Sequence, residues 1–346
     1  MMRLRRWVKL ATALIALPVV LMSLGCEPQG KETRYVGRGM VVGWSPDGSS
    51  LLYVDYSTFD PPESSPSLDM VNFRKGTRRR LINGAGKHQD SEEFDIVGLC
   101  QWLSPDRLAY ARAAHWRCWL VEIDLDMQQM GVLAEFPGDA FPQSVLVGPK
   151  SKVVFMRDPR GEPFDPNLWM LDFETKEMKK LTSYTLDEGS GIRFYPFRHY
   201  RWSNDGDRVL FELHRLGETE NDLDFLRDSL GLRVVDINTG EIAQFSSLPE
   251  KGWFLDWGGS NDELLAYTRQ LPNGNWRLKV WNHATQQEIE LGDTEYDCDA
   301  AAFNPDGSKI AFTLNLGSKR KWWQALSATR KTYVATLKWE NDVHAP

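Results

Sequence analysis

The chain has 346 residues, 42% hydrophobic, 12% aromatic and 26% charged, with 27 Gly, 18 Pro and 14 Trp. That apolar and aromatic share is ample for a packed core and excludes disorder, collagen and coiled coil. The formal net charge is −7 from 41 basic and 48 acidic residues. Four of the basic ones, Arg3, Arg5, Arg6 and Lys9, lie at the very start, so the rest is more acidic still. Such a body repels phosphate backbones, which argues against nucleic acid as a partner.

Residues 1–25 read as a secretory signal rather than part of the fold. Arg3 to Arg6 form a basic stretch, and Leu10 to Leu24 is an apolar run interrupted only by Thr12, Pro18 and Ser23. At about 15 residues that run is short for a spanning helix, which needs roughly 20. It closes on Met22-Ser23-Leu24-Gly25-Cys26, which resembles a bacterial lipobox. The resemblance implies cleavage after Gly25, diacylglycerol on the Cys26 thiol, and a lipid anchor in the bacterial cell envelope facing the periplasm. Glu27 in the next position, by the same resemblance, implies the outer membrane. Several acyl chains at roughly 0.8 kcal/mol per buried CH₂ give stable anchoring where one would be marginal. Residues 26–37 are polar and Gly/Pro-bearing, and read as a tether. Cys100, Cys118 and Cys298 have spacings that match no zinc pattern, and an odd count leaves at least one thiol free. They read as buried thiols, with one disulfide among them as the alternative.

From residue 38 the chain repeats itself. Trp44-Ser45-Pro46-Asp47-Gly48 leads into Leu51-Leu52-Tyr53, Trp202-Ser203-Asn204-Asp205-Gly206 into Val209-Leu210-Phe211, and Phe303-Asn304-Pro305-Asp306-Gly307 into Ile310-Ala311-Phe312. Weaker copies begin at Trp102, Val147 and Trp257, so six units recur at spacings of about 45–58 residues. The turn chemistry is specific. Pro presets φ for the first central position, Asp suits the second, and Gly supplies the left-handed residue that follows. Four of the 14 Trp occupy the anchor position, and each buries roughly 150–250 Å², about 4–6 kcal/mol gross. They read as packing between units.

A second hairpin follows in each unit: 68–81, 118–136, 168–182, 232–245, 278–291 and 323–337. One unit is therefore a four-stranded antiparallel sheet, and the whole is predicted to be all-β, a six-bladed β-propeller over 38–340 with a tail at 341–346. The tryptophan-led Ser-Pro-Asp-Gly turn followed by an apolar, apolar, aromatic strand resembles the TolB-like propeller repeat, also found in prolyl oligopeptidase-like enzymes. The resemblance implies the fold and leaves the function open. For the outer strand of the sixth blade two candidates stand: Thr332–Trp339, or Glu32–Val36 latching the open edge.

No catalytic constellation stands out. Gly189-Ser190-Gly191 has the wrong spacing for a nucleophile elbow, and neither His-Glu-x-x-His nor a phosphate loop is present. The six His are scattered, and only His199 lies just ahead of an anchor Trp. No metal or cofactor is expected. What remains is the face of the long connections. It is predicted to collect Glu92, Glu93 and Asp95 before blade 2, Arg193, Arg198, His199 and Arg201 before blade 4, and Asp297 and Asp299 before blade 6. The segments 57–67, 157–167 and 216–231 form its long loops, where binding concentrates. The opposite, short-turn face is expected to be flatter. The function read here is a non-catalytic, lipid-anchored module that binds a protein or envelope polymer. A hydrolase or lyase acting on a saccharide or peptide through Asp297, Asp299, Arg198 and His199 is the alternative, since paired carboxylates beside a base can do acid–base work.

Overall fold

The computed structural model describes residues 33–55, 67–82, 93–114, 117–126, 130–136, 145–157, 167–184, 193–216, 229–246, 252–272, 274, 276–291, 297–315 and 330–339. The predicted signal 1–25, Cys26, the tail 341–346 and most of the three long loops lie outside the described residues. Within them the chain forms strands joined by turns, with no helix among the described residues.

The strands make six four-stranded antiparallel sheets. Blade 1 is β2 (Met40–Trp44), β3 (Ser50–Asp55), β4 (Ser67–Asn72) and β5 (Thr77–Ile82). Blade 2 is β6 (Glu93–Ser104), β7 (Arg107–Ala114), β8 (Arg117–Asp124) and β9 (Met130–Glu135). Blade 3 is β10 (Leu146–Val147), β11 (Lys152–Met156), β12 (Leu168–Asp172) and β13 (Met178–Lys180). Blade 4 is β14 (Arg193–Trp202), β15 (Arg208–Leu216), β16 (Ser229–Asp236) and β17 (Ile242–Ser246). Blade 5 is β18 (Gly252–Gly258), β19 (Leu264–Gln270), β20 (Trp276–Asn282) and β21 (Gln287–Leu291). Blade 6 is β22 (Asp297–Phe303), β23 (Lys309–Asn315), β24 (Arg330–Thr336) and β1 (Thr33–Arg38). The first strands lie side by side around the centre, β18 beside β22, β22 beside β2 and β2 beside β6. The protein is a six-bladed β-propeller.

Each blade is covered on both faces, so the centre of its second strand is a continuous apolar run rather than an alternation. In β3, Leu51 packs toward blade 6 while Leu52 and Val54 pack toward blade 2. The aromatic of the repeat is fully buried in every blade, as Tyr53, Tyr110, Phe155, Phe211, Tyr267 and Phe312. The anchor residues pack across the boundaries. Trp44 Nε1 donates to Ala302 O of blade 6 at 3.1 Å, and Trp202 Nε1 donates to Leu146 O of blade 3 at 3.4 Å. Trp102 packs with blade 1 residues. Trp257 Nε1 instead turns to its own blade, donating to Asp262 O at 2.7 Å. Gly148 leaves room for the Trp202 indole, since a Cβ there would sit 2.1 Å from Cε2.

The short turns close on their aspartates. Asp47 Oδ1 accepts from Ser45 Oγ at 2.6 Å, Ser49 N at 3.0 Å and Ser49 Oγ at 2.9 Å, and Gly48 N donates back to Ser45 O at 2.8 Å. Asp205 and Asp306 repeat the arrangement, accepting from Asp207 N at 3.0 Å and Ser308 N at 2.8 Å. Gly48, Gly206 and Gly307 hold φ of 65°, 72° and 72°, the left-handed position the turn requires.

The ring is closed by the start of the described chain. Of the segment 323–337, read from sequence as a second hairpin, the described residues form β24, the third strand of blade 6; the fourth is β1, pairing Thr33 with Ala335 and Arg38 with Lys331. Residues 33–37, assigned to the tether from sequence, thus belong to the propeller. At the crossing into blade 1, Gly39 N donates to Arg330 O at 3.0 Å and Thr332 Oγ1 donates to Gly39 O at 2.9 Å. Thr313 Oγ1, 3.1 Å from Thr332 Oγ1, accepts from Val41 N at 2.9 Å, so two buried threonines clasp the crossing.

Candidate functional site

A propeller has two ends. At the short-turn end lie the turns from first to second strand and from third to fourth. At the other, here called the long-connection end, lie the joins from second to third strand and between blades. The first strand of each blade runs from the long-connection end toward the short turns. Arg193 opens β14 opposite Leu216, Asp95 pairs with Arg112 near the start of β6, and Asp297 opens β22 opposite Asn315, so all three backbone positions share the long-connection end. Arg198 and His199 fall in the stretch of β14 where register shifts between Pro196 and Tyr200.

Arg201 does not join them. It pairs with Leu210, next to Trp202 and the short turn. Its Nε donates to Asp256 Oδ1 at 2.7 Å, and Asp256 Oδ2 accepts from Phe303 N at 2.7 Å. One carboxylate thereby links blades 4, 5 and 6. Burial pushes the Asp256 carboxyl up, against the pull of the Arg201 guanidinium. Arg201 is expected from sequence at the long-connection mouth because it lies with Arg198 and His199 just before the blade 4 anchor, Trp202. A ten-residue strand carries its far end to the other face of the molecule.

Asp297 and Asp299 meet in a cavity of about 250 Å³ between blades 5 and 6. Trp253, near the start of β18, and Trp276, at the start of β20, form its walls, with Leu255, Thr268 and Cys298 also lining it. The two indoles stand at 86° with centroids 5.7 Å apart. Asp297 Oδ1 accepts from Trp276 N at 2.8 Å, which ties the aromatic wall to the acidic one. Arg330 Nε donates to Asp299 Oδ2 at 2.7 Å. Asp299 stands where β22 skips a residue in its pairing with β23, between Cys298 and Ala300. Burial raises the Cys298 thiol well above its ordinary range, aided by the neighbouring Asp299. A neutral thiol there is a poor nucleophile. The sequence reading found the carboxylates and missed both tryptophans. The available signal was that each opens a strand at the same end as Asp297.

A second polar cluster lies in blade 1. Asp55 and Asp69, both buried, are bridged by Arg78 at 2.5 and 2.6 Å and by Arg80 at 3.4 and 3.0 Å. Arg78 also lies over the Tyr53 ring, and a Cβ at Gly37 of β1 would lie 3.1 Å from the Tyr53 hydroxyl, so this quartet stands beside the closing seam. Cys100, Cys118 and Cys298 are free and buried, with the Cys118 thiol pushed up to about 12 by burial. No cluster of metal-ligating side chains occurs among the described residues. The short-turn end is less flat than its turns imply. A hollow of about 600 Å³ opens there, lined by Trp44, Trp257, Phe303, Asn304 and Pro305 among others.

No family model matches the chain, and no curated protein does. Solved structures share its fold. TolB from Acinetobacter baumannii is 14% identical over 86% of this chain and 66% of that one, with a TM-score of 0.52. The match spans just under two thirds of that TolB chain. An oligogalacturonate lyase in complex with manganese is 15% identical over 89% and 91%, with a TM-score of 0.51. The oligogalacturonate lyase from Vibrio parahaemolyticus is 13% identical over 88% and 90%, at 0.50. At these identities the similarity is one of fold.

Proposed function

We propose that this chain is a non-catalytic, lipid-anchored propeller of the bacterial cell envelope that binds a protein or envelope polymer through its long-connection end. One observation carries the reading: the polarity of β1. Thr33 pairs with Ala335 at the short-turn end of blade 6, and β1 then climbs to Arg38 at the other end. An acylated Cys26 would be joined to Thr33 by residues 27–32, a reach of at most ~25 Å at about 3.5 Å per residue. The membrane would then lie beside the short turns, and the long-connection end would face away from it. That end also holds the long loops and the Asp297 cavity. Similarity in fold to TolB is compatible with an envelope setting.

Incorporation of labelled palmitate, lost on Cys26→Ser, tests the anchor. A photocrosslinking residue at position 193 should trap a discrete species in intact cells, and one at position 205 should not. The reverse pattern overturns the assignment of the face. A second reading, a hydrolase or lyase acting on a saccharide or peptide, draws on one observation, that Asp297 and Asp299 line the same cavity. A thermal-shift screen with divalent metals and small sugars separates the two, because only the enzyme requires a specific small ligand.

A further inference from the structure

We propose that an apolar arc on the short-turn rim of blades 2, 3 and 4 rests on the surface of a phospholipid bilayer. The inference rests on the lipid anchor proposed above and deepens it, because it fixes how the body stands on the membrane.

The six blades can be compared position by position. In each, the residue just past the third strand donates its amide to the first hairpin: Phe73, Leu125, Phe173, Ile237, His283 and Leu337. Two places earlier the third strand pairs with the outer strand, close to the short turn. The outer-strand residues at that one position are Arg78, Met130, Met178, Ile242, Glu288 and Thr33, in blade order. Three consecutive blades are apolar where the other three are charged or polar.

The apolar three stand in solvent. Met130, Met178 and Ile242 are 61%, 40% and 36% exposed, and Val132, two residues along β9, is 65% exposed. Among the described residues, Tyr35 of β1 is the only other large apolar side chain so exposed. The cross-strand partners Ile123, Leu171 and Val235 each pack toward the preceding blade, so the three share an orientation as well as a level. Exposed apolar groups gathered on one side of a folded body mark an interaction surface.

The occupant follows from the path of the chain. Thr33, the blade 6 member of the set, is where residues 27–32 would lead to an acylated Cys26, within ~25 Å. A bilayer that approaches Thr33 therefore faces the arc at the same level of the propeller. In a ring of six, blade 3 stands across from blade 6. A tether alone would leave the body free to swing. A tether under blade 6 and apolar contacts under blades 2–4 support it on opposite sides, and the long-connection end points away from the lipid. The contacts need little affinity of their own, because the anchor makes their encounter with the bilayer intramolecular. Apolar side chains entering the headgroup boundary hold amphipathic surfaces on membranes, and methionine adapts readily to such a fluid partner.

The test uses the full-length protein in vesicles of phosphatidylethanolamine and phosphatidylglycerol, with a nitroxide on a cysteine placed in turn at 130, 178, 242 and 270. Cys100, Cys118 and Cys298 are buried and stay unlabelled in the folded protein. Gln270, exposed at the end of β19, is the control on the long-connection end. The ratio of collisions with oxygen, which concentrates in lipid, to collisions with a polar nickel chelate is the readout. It should be at least threefold higher at 130, 178 and 242 than at 270. With the label at 132, replacing Met130→Gln, Met178→Gln and Ile242→Gln together should lower the ratio at least threefold. Should that variant melt early, the positions in the parent decide alone. Equal ratios at all four positions, or a label at 132 indifferent to the folded triple variant, would overturn the proposal. Spin–spin broadening between copies that survives tenfold dilution in lipid would place a second copy on the arc, and also overturn it. Palmitate on Cys26 with equal ratios removes this inference alone, whereas absence of palmitate removes the anchor and this inference with it.

Discussion

Arg201 and Asp256 form a 2.7 Å ion pair across the boundary of blades 4 and 5, and the same carboxylate takes the Phe303 amide of blade 6. Removing one partner of such a pair leaves a buried charge, which costs several kcal/mol in a closed site. Arg201 keeps about a quarter of its side chain in solvent, which moderates the loss. Asp256→Ala is expected to destabilise by about 3 kcal/mol, seen as a fall of roughly 6–10 °C in melting temperature. In Arg201→Met, burial of Asp256 is opposed by the backbone amides of Phe303 and Trp257 without the guanidinium, and its carboxyl rises further. A raised folded value means that stability falls as pH rises, beginning at the ordinary carboxylate range. The variant should therefore lose more stability relative to the parent at pH 7 than at pH 4, by denaturant titration.

Gly148 is held open for Trp202. A Cβ there would meet the indole at 2.1, 2.4 and 2.6 Å, so Gly148→Ala must shift a half-buried ring between blades 3 and 4. Overpacking of this kind costs about 1–3 kcal/mol. Gly240 is the matched control, with φ of 78° and nothing within 4 Å of an added Cβ. Gly240→Ala should cost about 1 kcal/mol, from backbone conformation alone. Equal losses in the two variants would show that the indole does not need the space.

Asp47 makes stability depend on acid. The Ser45 hydroxyl foremost, then the Ser49 amide, hold its carboxyl down at about 2. A folded value below the unfolded one of about 3.8 gives stabilisation present above pH 4 and lost as pH falls toward 2. Asp47→Ala should cost about 1–2 kcal/mol at pH 6, since water replaces part of what a half-exposed turn loses. The difference from the parent should shrink between pH 4 and pH 2, measured as unfolding free energy at each pH.

The clasp at Gly39 is the most sensitive backbone position described. Its φ is 144°, and an added Cβ would lie 2.0 Å from Val54 O. Gly39→Ala is expected to destabilise by at least about 3 kcal/mol and to free the β1 edge from β24. Amide exchange at Tyr35 and Tyr333 should accelerate together. Unchanged exchange at Tyr333 would show that the seam does not depend on this crossing.

Blade number and turn chemistry were legible because each unit repeats the same local physics. The Asp-Gly turns, the anchor indoles and the buried aromatic of the second strand recur at fixed offsets, and each packs within a few residues or against the adjoining blade. Ring closure was legible only as two alternatives. β1 and β24 meet through no turn, so nothing local records their pairing. Arg201 was misplaced for a related reason: neighbours in a strand can serve opposite ends of a channel. Its partner did leave a trace, since Arg201 and Asp256 each stand one place before an anchor Trp in consecutive units, with opposite charge. The Trp253 and Trp276 corner depends on three elements converging at a blade boundary, and no single stretch of sequence carries it.

The hydrogen bond from Thr332 to Gly39 joins residues 293 positions apart. A chain delivered amino end first, whether by the ribosome or by a secretion pore, holds β1 ready long before β24 emerges. Throughout that interval the unpaired strand is an open offer to any neighbouring edge, including the β24 of another copy. Exchange between copies would build the same sixth blade from two molecules, so shielding this strand until β24 is made would favour closure within one chain.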